Sequence, residues 1–192
     1  MTTTPADPVD PDWYQVTTGS GLEQGDLLPG CRVPIAIETA PVEEGATFDV
    51  DVRVVDLVVL TQSCDLEHDK VSTLLLGRVY TWEAVVESEI SRGNQKIKSK
   101  DTRVQLQRGA VPNFCLLHRR TQPPELTWSV VDFHQLHTLS AAAVRKHAEE
   151  LGPRLRLRSP YKEHVAQAFA RYFMRVGLPL DAAAFLMDVG TK

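Results

Sequence analysis

Residues 54–80 read VVDLVVLTQSCDLEHDKVSTLLLGRVY, and the fold is decided there. The apolar run Val54, Val55, Leu57, Val58, Val59 and Leu60 stops at Thr61-Gln62-Ser63-Cys64-Asp65. Leu74, Leu75 and Leu76 resume it beyond the charged stretch from Glu67 to Lys70. Two short β-rich runs parted by a polar loop predict two buried strands of a barrel or sandwich. The loop gathers Cys64, Asp65 and His68, the densest cluster of reactive side-chain types in the chain.

Upstream, Phe48 to Val54 alternates apolar with charged residues, the period of a strand with one wet face. Val33 to Thr39 predicts another strand. It is fed by a glycine-bearing turn that carries Gly25-Asp26-Leu27-Leu28. Residues 1–12, with three prolines and repeated Asp, predict a disordered tail, and Trp13 and Tyr14 begin the ordered part.

Downstream, Thr81 caps a predicted helix over 82–91, with Trp82, Val85, Val86 and Ile90 near one face. A mobile basic loop is expected over 92–103, then strands at Val104 to Gln107, Asn113 to His118 and Trp128 to Phe133. Ser140 is the N-cap of a helix from Ala141 to Leu151, stopped by Gly152-Pro153. Arg154-Leu155-Arg156-Leu157-Arg158 alternates, and Ser159-Pro160 opens a helix running to about Val176. Val165, Phe169, Phe173 and Val176 are its expected buried face, and a short helix from Asp181 to about Met187 ends the chain. The fold class is α+β. A β-barrel domain spans 13–139, with an inserted helix at 82–91 and the basic loop at 92–103. A helical part at 140–192 packs on it.

A chain of 192 residues with 43% hydrophobic content is long enough for one substantial core. It has no apolar run long enough for a membrane span and no secretory leader pattern at its N-terminus. Three cysteines, at 31, 64 and 115, follow no disulfide framework, so reduced thiols in a cytoplasm are expected. Charge is divided: residues 1–91 hold 17 acidic against 4 basic side chains, and residues 92–192 hold 8 against 17. Such asymmetry marks either a nucleic-acid surface or two halves that neutralise one another.

Three chemistries compete for these residues: nucleophilic catalysis, metal binding and phosphate binding. Cys64 as nucleophile, His68 as base and Asp65 as polar neighbour supply the types a thiol enzyme needs; alternatively Cys64 packs inward and Asp65 caps the turn. Cys115 and His118 form only a Cys-x-x-His half-pair, so no metal and no other cofactor is expected. Ser159-x-x-Lys162 has nucleophile-and-base spacing, but capping accounts for Ser159. The third chemistry is phosphate binding by Lys96, Lys98, Lys100, Arg154, Arg156 and Arg158, with Tyr161 or Tyr172 near for base stacking. A catalytically inert adaptor that binds another protein is a further alternative.

The order Gly25-Asp26-Leu27-Leu28, two apolar strands, then Val130-Val131-Asp132-Phe133-His134-Gln135-Leu136-His137-Thr138-Leu139 and a helix ending in Leu151-Gly152 resembles the MazF/PemK-type toxin family. Gln135-Leu136-His137-Thr138 stands for that family's Gln-x-(Arg/Lys)-(Thr/Ser), and the match covers roughly residues 24 to 176 with insertions. His137 replaces the basic residue, His134 and Asp132 replace the acid and arginine upstream, and Val55-Asp56 stands where the family carries Arg-Pro. The catalytic set is therefore not matched residue for residue. The resemblance implies an SH3-like barrel with C-terminal helices. It also implies a toxin or defence protein directed at RNA, an RNase or a degenerate relative of one, with an antitoxin or second copy as partner.

Overall fold

The computed structural model describes residues 12–36, 50–68 and 70–174. Seven strands and five helices follow in the order β1 (Tyr14–Thr17), β2 (Leu27–Ala36), β3 (Val50–Val59), α1 (Ser63–Glu67), β4 (Thr73–Thr81), α2 (Trp82–Ser91), α3 (Lys100–Gln107), β5 (Phe114–Leu117), β6 (Ser129–Ser140), α4 (Ala141–Leu151), β7 (Arg154–Leu157) and α5 (Tyr161–Phe173). Residues 1–11 of the expected tail, 37–39 and 48–49 of two predicted strands with the acidic loop between them, and the last predicted helix lie outside the described residues.

The two apolar runs of the opening stretch become β3 and β4, the antiparallel centre of a five-stranded sheet of order β2-β3-β4-β6-β5. The fold is mixed α+β, and among the described residues its ladders do not close into the expected barrel. The remaining strands, β1 and β7, form a separate two-stranded ribbon. Among the described residues an isolated bridge, Asp26 with Arg156, joins it to the main sheet beside the turn at Gly25. Gly25 is needed there twice over: its φ is +88°, and a Cβ would lie 2.9 Å from Leu157 Cβ.

Each face of the sheet carries its own core. The β1–β7 ribbon and α5 pack on one side, burying Tyr14, Leu155, Leu157 and Val165 against Val58, Val79, Val131 and Phe133. On the other, α4 buries Ala141, Val144 and Ala148 against Leu28, Leu57, Leu74 and Leu76, and Leu66 of α1 joins them. α4 forms where the sequence places it. Ser140 Oγ accepts from Ala143 N at 3.2 Å, and Gly152 takes a positive φ at the other end. Ser140→Ala is expected to lower unfolding free energy by about 1 kcal/mol in urea titration, and no change would mean the cap is idle.

Several elements depart from the sequence reading. The loop after β3 contains the short helix α1. The basic loop is a 3-10 turn at Gln95–Lys98 followed by α3, which takes in the expected strand Val104–Gln107. Ser99 causes this: its Oγ accepts from Thr102 N at 3.1 Å, and Asp101 sits in the first turn, so the short Val-x-Leu alternation is overridden by a cap. β6 runs beyond Phe133 to Ser140. The alternating segment before Val54 buries neither face: Val50, Val52 and Val54 are exposed at 46%, 58% and 67%. α5 begins at Tyr161 with Pro160, not Ser159, in the cap position. It buries Val165 and Ala168 while Phe173 is exposed, and Val176 lies outside the described residues. Among the described residues no helix is long and apolar enough to cross a membrane.

Candidate functional site

β4 and β6 pair over most of their length, and one irregularity in their register builds the site. Gly77 lies opposite Leu136, but the next residue, Arg78, lies opposite Asp132, so Phe133, His134 and Gln135 are extruded from the ladder. Bulges of this kind re-aim side chains next to functional sites. Gly77 allows it: a Cβ there would lie 2.8 Å from Val131 Cγ1 and 3.1 Å from Leu60 Cδ1.

The bulge brings Gln135 to Tyr80, whose hydroxyl donates to Gln135 Oε1 at 2.7 Å. The Arg78 guanidinium carbon stands 4.7 Å from the centre of the Tyr80 ring, a cation-π contact that fixes the side chain's direction. His137 returns to the ladder opposite Leu76. Burial first, and then the charge of Arg78, push the His137 imidazole below its ordinary value. His137 Nε2 and Arg78 Nε are both buried and have no hydrogen-bond partner among the described residues. Orphaned buried nitrogens carry a free-energy cost, and two on one face point to a group that completes them. Beside them, Asp132 Oδ1 accepts from His134 N at 3.0 Å and lies 3.5 Å from His134 Nδ1. Gln135 and His134 are exposed at the rim.

The reactive loop of the sequence reading is assembled differently. Leu66 anchors α1 in the core, and Cys64 is exposed, so its sulfur does not pack inward. Its Sγ faces Gln62 Oε1 at 3.7 Å and Asp65 Oδ1 at 3.8 Å, both acceptors. The His68 imidazole, exposed past the helix end, is not among the partners of that sulfur. Native protein treated with iodoacetamide is expected to label at Cys64 alone. Cys31 and Cys115 are buried, and burial above all pushes both thiols up to about 12. Comparable labelling of Cys31 or Cys115 in the folded protein would contradict this packing.

The six basic candidates divide. Lys96, Lys98 and Lys100 are exposed, on the 3-10 turn and the start of α3. Arg154 and Arg156 are 1% and 8% exposed and are removed from any phosphate by Asp26, itself fully buried. Arg154 Nη2 and Arg156 Nη2 reach Asp26 Oδ2 at 3.0 and 2.9 Å, and Arg154 Nη1 also donates to the Gly19 carbonyl at 2.7 Å. Arg156 further pairs with Glu23, and Arg158 pairs with Asp12 at the surface. Part of the charge asymmetry between the two halves is therefore neutralised inside the molecule.

Sequence reasoning singled out Gln135 and His137 only through the family resemblance, and missed Arg78 and Tyr80. The signal for these two was present: Arg78-Val79-Tyr80 breaks an apolar strand with two polar side chains two residues apart, hence on one face. Neither a protein-family model nor a curated protein matches this sequence.

Proposed function

We propose that the protein is an RNA-directed toxin or defence protein of the MazF/PemK-like kind, an SH3-like scaffold whose β4–β6 face cleaves single-stranded RNA without a metal. The observation that supports it best is the half-buried imidazole of His137, with its Nε2 buried and its pKa held below the ordinary value by burial and by the charge of Arg78. A metal-free cleavage needs a base for the 2′-hydroxyl and a cation for the phosphate. In the proposed reaction His137 takes the 2′-hydroxyl proton and the 2′-oxygen bonds to phosphorus. The bond from phosphorus to the 5′-oxygen breaks, and that oxygen takes a proton from Tyr80 or water. Arg78 stabilises the charge on the phosphoryl oxygens, and exposed Lys96, Lys98 and Lys100 hold the strand electrostatically.

The test is incubation of the full chain with an unstructured RNA in EDTA, followed by analysis of product ends. Fragments ending in 2′,3′-cyclic phosphate support the reading, and intact RNA removes it. The second reading, thiol chemistry at Cys64, is favoured only by the exposed sulfur. Unchanged biological activity in Cys64→Ala would eliminate it.

A further inference from the structure

Away from the β4–β6 face, a cavity of about 380 Å³ opens between the end of α3 and the start of α5. That volume is at the small end of ligand pockets, suited to one ring system rather than a large cofactor. Trp13 and Tyr161 line it, stacked with ring centres 4.0 Å apart and planes 11° apart. Outside the cavity's lining, Trp13 is backed by His118 at 5.6 Å, which in turn meets Trp128 edge-on at 4.4 Å. Gln107 and Gln167, both exposed, bring carboxamides to the same cavity, together with Glu163 and His164.

The surroundings are charged in a particular order. Lys100, Arg103 and Gln107 share one face of α3 at spacings of three and four, so two exposed cations lead, over about 10 Å of helix, to the carboxamide in the cavity. On the other side His164 and Arg171 converge on Gly109, whose Cβ would stand 3.5 Å from His164 Cε1 and 3.7 Å from Arg171 Nη2. Exposed Glu163 on the same lining is acidic, and Ser159 Oγ donates to its Oε1 at 2.6 Å. A carboxylate in the cavity repels a phosphate but accepts from an exocyclic amine, and glutamines pair with the amine and ring nitrogen of adenine.

We propose that this cavity binds one unpaired, amino-bearing nucleobase of single-stranded RNA, adenine best, with the flanking phosphates on Lys100 and Arg103. Stacking against the aromatic wall needs a base free of a duplex, which selects single strands. The inference rests on the RNA-directed reading above and adds to it a pocket that positions and selects the substrate.

The test is fluorescence anisotropy of the full chain with end-labelled 2′-O-methyl oligoadenylate and oligouridylate, which 2′-hydroxyl attack cannot cleave. Oligoadenylate is expected to bind about tenfold tighter, and the double variant Gln107→Ala/Gln167→Ala, at unchanged melting temperature, to lose about tenfold for oligoadenylate only. Lys100→Ala/Arg103→Ala is expected to weaken both ligands alike and to flatten the dependence on salt. Absence of binding, equal affinity for the two ligands, or wild-type behaviour of the glutamine double variant overturns the pocket. Cleavage is scored separately on unmodified RNA. Base-selective binding without cleavage removes the nuclease and leaves the pocket, whereas cleavage without base selectivity does the reverse.

Discussion

Asp26→Ala is expected to destabilise the protein by about 3 to 5 kcal/mol, the usual cost of leaving buried charges without their partner. Asp26 is fully buried and its carboxylate is shared by Arg154 and Arg156, which are themselves 1% and 8% exposed. Removing it leaves two guanidiniums held by Glu23 and the carbonyls of Gly19, Gly21 and Ala148. For a chain of this size such a loss lowers the melting temperature by on the order of 10 °C. Glu23→Ala is the control. Glu23 is 40% exposed in its side chain, solvent screens its pairing with Arg156, and its loss is expected to cost no more than about 1 kcal/mol. An Asp26→Ala variant within about 1 kcal/mol of wild type would mean that the cluster does not hold the β1–β7 ribbon to the sheet.

The second large effect is on chemistry. His137→Asn is expected to reduce RNA cleavage by roughly a hundredfold to ten-thousandfold, the range for loss of a general base. Arg78→Ala is expected to cost roughly a hundredfold to a thousandfold through lost stabilisation of the phosphoryl charge. His137 lies opposite Leu76 and Arg78 opposite Leu57, both in the core beneath α4, so lost cleavage at an unchanged melting temperature is what distinguishes the roles from a structural one. Arg78→Leu adds a finer check. Burial is the larger cause of the depressed His137 value and Arg78 the smaller, so removing the cation moves it upward without restoring the ordinary value. Activity that survives in both His137→Asn and Arg78→Ala would place the chemistry elsewhere.

The fold was legible where local rules and tertiary packing agree. The apolar runs around Cys64 gave β3 and β4, and Ser140 with Gly152 bounded α4 at both ends. It was illegible where a short polar signal outweighed an apolar pattern, as at Ser99, whose cap turned an expected strand into α3. Closure into a barrel depends on pairing between distant strands, and the isolated bridge of Asp26 with Arg156, beside the positive φ of Gly25, has no local sequence signature. The arginines of β7 show the limit of charge reading. Alternation placed Arg154 and Arg156 correctly on one side, but their partner Asp26 is 128 and 130 residues away in sequence. The same limit hid the β4–β6 site, because Tyr80 and Gln135 meet beside a bulge in the register.

The most direct measurement of the central claim is the rate of metal-free RNA cleavage as a function of pH, for wild type and His137→Asn. A neutral His137 acting as base predicts a rate that rises with pH through a midpoint below about 6.5, the ordinary histidine value, because the native environment disfavours the protonated ring. The residual rate of His137→Asn should lack that limb. A wild-type profile with no acid limb, a midpoint at or above about 6.5, or an identical limb in His137→Asn would contradict the assignment.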